Sequence, residues 1–146
     1  MAKEEESLVA YCGLYCGDCA NHKGKIADLA RDLRKELRLA KMKRIAKGLS
    51  KYFKQFKNYD QYYEFLGMMV RFRCKRTCRN LGGPPHCKIR MCCQKKDIEG
   101  CWLCEEFELC KKLDFLRALH ADGHMKNIRI IKKKGLAEFL KGKRYW

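Results

Sequence analysis

Eleven cysteines stand in a chain of 146 residues, and their spacing is the chemistry this sequence offers. Three lie in the opening CGLYCGDC, at Cys12, Cys16 and Cys19. Eight more crowd together at Cys74, Cys78, Cys87, Cys92, Cys93, Cys101, Cys104 and Cys110. That is more thiol than one small core uses as apolar filler, so metal ligation, redox chemistry or disulfides must account for most of it. Two cysteines separated by two residues can face one ion, because the backbone between them turns around it. Cys16 and Cys19 have that spacing, as do Cys101 and Cys104. Structural zinc takes four such ligands in a tetrahedron, and two zinc ions are expected. The preferred grouping puts Cys74, Cys78, Cys87 and Cys92 at one ion, around the loop NLGGPP. Cys101, Cys104, Cys110 and a residue of the amino-terminal group then hold the other. Pairing of Cys16 and Cys19 with Cys101 and Cys104 is the alternative.

The same thiolates suit an iron-sulfur cluster, which is the second reading of the cofactor. The spacing of Cys12, Cys16 and Cys19 also matches the motif by which radical enzymes using S-adenosylmethionine hold a four-iron cluster. This chain has neither the length nor the strands for their barrel. No catalytic residues are assigned: no serine, histidine and carboxylate arrangement is recognisable, and NLGGPP lacks the helix-borne lysine of a phosphate loop. A metal-dependent hydrolase is disfavoured, since catalytic zinc keeps an open position beside histidine and carboxylate ligands. His86 follows two prolines and reads as exposed. His22 is a weak alternative ligand. Asp122 and Gly123 argue against one helix carrying both His120 and His124.

The opening segment has no apolar run of signal-peptide length and carries an acidic cluster, Glu4 to Glu6, so a cytoplasmic location is expected. Thiols stay reduced there, outside hyperthermophiles, and clusters of them read as metal sites. No segment has the apolar length of a membrane span. The formal net charge is +17; two tetrathiolate zinc sites, each about −2, would leave roughly +13. The charge is uneven, with 13 basic and 3 acidic residues from Lys23 to Lys57. A nucleic acid or an acidic protein held by basic helices is the partner this favours, against a solvated lysine-rich surface. Oligomeric state is not readable.

Positioning these groups falls to helices. Ile26, Leu29, Ala30, Leu33 and Leu37 recur at helical steps, predicting a helix from about Lys25. Ile45, Leu49, Tyr52, Phe53 and Phe56 make a second stripe, with Gly48 as a weak point. Asn58 reads as an N-cap before Tyr59, Tyr62, Tyr63, Leu66, Met69 and Val70. These three helices are expected to form the core, with their aromatic residues packed inside rather than offered as a base-stacking platform. A short helix is expected from Lys88 to about Lys96 and a longer one from Glu105 to Leu119. Further helical pieces should carry Ile128 with Ile131, and Leu136 with Phe139. No run alternates with period two. The expected fold is mainly α: a small single domain of amphipathic helices with cysteine-rich, metal-pinned loops and little or no sheet. Its parts are residues 1–22 (amino-terminal cysteines), 23–73 (basic helices), 74–110 (main cysteine cluster) and 111–146 (carboxy-terminal helices).

YCGLYCGDC, a central cysteine pair, CKIRMC and CWLCEEFELCKKL together resemble a cysteine-rich domain family of archaea and bacteria, described as zinc-binding and of unknown function. The resemblance implies a metal-ligand set of Cys12, Cys16, Cys19, Cys74, Cys78, Cys87, Cys92, Cys101, Cys104 and Cys110. Cys74 and Cys78 have three residues between them where two is usual, and Cys93 has no counterpart. The function expected is a non-catalytic, zinc-stabilised binding module for an acidic partner. The alternative is an iron-sulfur redox or metal-handling protein.

Overall fold

A computed structural model describes residues 2–146. The chain divides into two compact units: residues 1–22 with 74–146, and residues 23–73. Every cysteine belongs to the first and none to the second. Among the described residues the fold is all-α, with one isolated antiparallel bridge, Val9 to Tyr15.

In the first unit, α1 (Ala2–Ser7) leads into the cysteine hairpin, and α2 (Ala20–Lys23) ends it. The unit resumes at Cys74, whose N–H donates to Asn21 O at 3.0 Å. It continues through α6 (Lys88–Lys95), α7 (Arg117–His120), α8 (Gly123–Lys134) and α9 (Leu136–Lys141). Its core gathers Val9, Ile89, Trp102, Phe107, Ile128 and Phe139. The periodicity from Ile128 to Phe139 therefore predicted the right buried face. The helix expected over 105–119 is instead a string of 3-10 turns, Phe107–Leu109 and Lys111–Leu116, before α7. Those tighter turns bury Phe107, Leu113 and Leu116 together, a spacing that an α-helix would spread over more of its circumference.

The second unit packs α3 (Lys25–Leu39) on α5 (Tyr59–Arg71), with α4 (Met42–Leu49) against both. Asn58 stands at the N-cap of α5, as its sequence context predicts. The second stripe does not remain one helix. The α4 helix stops at Leu49, Phe53 is extended, and Lys54–Asn58 forms a 3-10 turn. Nor do these helices form the core. Their only buried apolar side chains are Ala27, Ala30 and Ala46, whereas Leu29, Phe53 and Phe65 are each more than half exposed. Three short helices enclose too little volume to bury large side chains on every stripe. Their contacts run through arginine instead: Arg34 lies 4.3 Å from the Tyr63 ring centre and Arg38 donates to the Tyr63 hydroxyl at 3.0 Å. The buried Gly67 admits that approach, since a Cβ there would stand 2.8 Å from an Arg34 nitrogen.

Candidate metal centre

The two C-x2-C pairs adopt the same turn. Cys16–Asp18 and Cys101–Leu103 are each a single 3-10 turn begun by the first cysteine. The second cysteine, Cys19 or Cys104, is extended and donates its N–H back to the first cysteine's carbonyl at 3.1 Å. Cys110 closes the Phe107–Leu109 turn in the same way. Such a turn puts both thiols on one side of the backbone. Cys78 opens a further 3-10 turn, capped by the Thr77 hydroxyl, while Cys87 stands at the N-cap of α6 and Cys92 and Cys93 lie within that helix.

Long-range contacts bring these turns together. Cys101 N–H donates to Tyr11 O at 2.8 Å, which seats the CWLC turn beside Cys12. Around Gly13, whose φ of +81° suits glycine, the hairpin presses so close to α8 that a Cβ would stand 2.9 Å from Ile128. Arg144 grips Asp18 at 2.8 and 3.3 Å and lies over the Tyr15 ring. The carboxy-terminal residues thus brace the amino-terminal cysteines.

Two arginines organise the central loop. Arg79 donates to Val9 O at 2.9 Å and covers the Tyr11 ring. Arg90, only 3% exposed, donates to the carbonyls of Cys78, Gly82, Pro84 and Pro85 at 2.9–3.4 Å. The NLGGPP loop wraps around its guanidinium, which fixes the path from Cys78 to Cys87. Gly82 is packed so tightly that a Cβ would collide with Arg76 O. Both arginines sit in a stretch whose nine basic and no acidic residues suggest surface. The one hint of burial is the position of Arg90 between Ile89 and Met91, three residues past Cys87.

The electrostatics report which thiols are neighbours. Burial raises the Cys16 thiol above its ordinary value, and Cys78, Cys19 and Cys74 push it the same way while a Cys78 N–H opposes them. Burial pushes the Cys12 thiol up to about 12, reinforced by Cys78 and Cys87. Cys93 and Cys101 lie Sγ to Sγ at 3.8 Å. That contact holds Cys93 low and Cys101 high, and burial, Cys12 and Cys110 raise Cys101 further. A cavity of about 550 Å³ is lined by Cys92, Cys93, Cys101, Cys104 and Cys110. Lys96 reaches Cys104 Sγ at 3.5 Å.

The thiols that bear on Cys16 are Cys78, Cys19 and Cys74, Cys92 lines the same cavity as Cys101, Cys104 and Cys110, and Cys12 feels Cys78 and Cys87 and bears in turn on Cys101. Among the described residues, no three Cys, His, Asp or Glu side chains converge tightly enough to hold an ion as placed, and all eleven cysteines are free thiols. His86 is exposed. His120 and His124 fall on separate helices, α7 and α8.

Fold and site together define a small, all-α, cysteine-rich protein. A family model described as "Protein of unknown function (DUF3795)" matches residues 8–115, a span that takes in both cysteine groups and the basic helices. The chain belongs to this family. No curated protein and no solved structure matches it. No helix among the described residues is long and apolar enough to cross a membrane.

Proposed function

We propose that this protein is a non-catalytic binding module whose first unit is held by two thiolate zinc sites and whose cysteine-free unit carries an acidic partner. One observation supports the reading: thiols distant in sequence bear on one another, Cys78, Cys74 and Cys19 on Cys16, while Cys92, Cys101, Cys104 and Cys110 line one cavity with Cys93. Eight soft donors in two sets of four suit two tetrahedral ions. Thiols held above their ordinary pKa, as Cys16 is by burial and Cys101 by Cys93 and burial, are poor nucleophiles at neutral pH, whereas a divalent cation displaces such protons and takes the thiolates as ligands. The setting of Arg90 fits as well. Its buried guanidinium has carbonyl partners and, among the described residues, no carboxylate, and anionic thiolate sites on either side of its loop would offset that charge.

Metal analysis of protein purified under reducing conditions tests this. About two zinc per chain in a colourless sample is the expected result. Visible absorption that bleaches on reduction would assign the thiolates to an iron-sulfur cluster instead, and a metal-free, fully folded protein would end both readings.

A further inference from the structure

Between α4 and α5 runs a groove of about 750 Å³, continuous with a second of about 340 Å³ through Lys43, Lys47, Tyr59 and Asp60. Its two kinds of wall differ in chemistry. Lys41, Arg44 and Lys47 line it and make no ion pair among the described residues, while Lys43 is held by Asp60 at 3.0 Å. Opposite them Tyr59 and Tyr63 stack, with ring centres 6.1 Å apart and planes 22° from parallel. Both rings are only partly buried. Lys41 is in the left-handed region, φ +52°, a conformation that is uncommon outside glycine and asparagine. It forms the corner between α3 and α4 and stands at the mouth of the groove.

We propose that this groove binds single-stranded nucleic acid, with backbone phosphates on Lys41, Arg44 and Lys47 and a base against the outer face of the Tyr59 ring, whose inner face is backed by Tyr63. The inference rests on the binding-module reading and names its partner. Charge complementarity selects a polyanion: this unit has 15 Lys and Arg against five Asp and Glu. The rings then distinguish among polyanions. An open tyrosine face beside a line of free cations serves a strand whose bases are unstacked and whose phosphates run alongside. An acidic polypeptide has no use for the ring faces, and duplex bases are already stacked on each other.

Fluorescence anisotropy on the full, metal-loaded chain tests it, with labelled 12-nucleotide oligo(dT) and oligo(U), a hairpin duplex, and polyglutamate as competitor. Single strands are expected to bind more tightly than the duplex, with affinity falling linearly against the logarithm of salt. The variant Lys41→Gly/Arg44→Gln/Lys47→Gln keeps the left-handed corner, since glycine favours it. It should reduce the salt slope by about two, at roughly 0.7 per phosphate contact on a single strand. Tyr59→Leu should weaken binding about fivefold or more at every salt concentration, the loss of one stacked base, and leave the slope unchanged. Absence of binding to either oligonucleotide at 50 mM salt overturns the proposal. So does equal competition by polyglutamate with no effect of Tyr59→Leu, which assigns the groove to an acidic protein. Circular dichroism confirms that each variant folds. Zinc is counted on the same samples: full zinc without binding ends the groove alone, and binding without zinc ends the metal-site reading alone.

Discussion

Cys92 and Cys93 are successive in α6, where adjacent side chains point about 100° apart, so the two have different roles. Cys93 is 2% exposed, as is Ile89 one turn earlier, and buried thiols behave as small hydrophobes. Cys93→Ala is expected to retain both ions and the fold, and Cys92→Ala to lose one ion, read by metal analysis of the two proteins. Loss of zinc on Cys93→Ala would make the Cys93 to Cys101 contact a ligand pair instead. Arg90 gives a second prediction. Arg90→Met keeps an apolar stem but removes the donor of four carbonyls, the Gly82 one buried and those of Cys78, Pro84 and Pro85 part-buried, at about 1 kcal/mol for the buried one and somewhat less for each of the others. It should lower stability by roughly 3 kcal/mol and the affinity of the sites with it, measured by urea unfolding and chelator competition. Sequence alone made the two C-x2-C turns legible because that spacing has a fixed backbone path. It left Arg90 hidden, because a cation that will sit among carbonyls has the same local sequence as one that will face water.

At the scale of elements, amphipathic periodicity located α3, α5, α8 and α9 well and misjudged which of them form the core. A stripe reports one apolar face of a helix and not whether enough neighbours exist to cover it. The helices with the largest stripes lie in the cysteine-free unit with alanines inside, while the weaker pattern of α8 buries Met125, Ile128 and Ile131. That helix also buries His124 completely, and neither ring nitrogen has a hydrogen-bond partner among the described residues. Burial lowers the His124 pKa, aided by Arg117 and His120 and opposed by Asp122 and Asp114. The unfolded chain takes up this proton near pH 6.5 and the folded chain resists it. Stability from this source is intact above that pH and is lost as the pH falls below it toward the lower folded value, at up to about 1.4 kcal/mol per pH unit. His124→Leu should be at least as stable at pH 7 and lose less between pH 7 and pH 5.5. Parallel urea titrations of both proteins isolate this contribution from proton uptake by the thiols, which both share. Equal losses in the two proteins would show that His124 titrates in the folded state as it does in the unfolded one.

Over the whole molecule, the division of labour follows the cysteines. Residues 23–73 contain none, and the chain leaves and re-enters the first unit at one place, where Cys74 N–H meets Asn21 O at 3.0 Å. An excursion with joined ends costs its host little closure entropy when it is shortened, because that cost grows only with the logarithm of loop length. Replacing residues 24–72 by a short Gly-Ser linker should therefore leave a chain that folds and binds zinc. Its stability should rest on the metal, because thiolate zinc contributes on the order of 10 kcal/mol, as much as a whole domain's net stability. Both tryptophans, Trp102 and Trp146, remain in this shortened chain, and Trp102, 4% exposed between Cys101 and Cys104, reports on the site. Two zinc ions per shortened chain, a cooperative melt, and a red shift of emission when a chelator strips the ions under reducing conditions are the expected results. A shortened chain that takes up zinc without a cooperative melt would mean that the basic helices are part of the host's fold. An unchanged melt after verified metal loss, in the full chain or the short one, would mean that the thiolate sites do not hold the fold together.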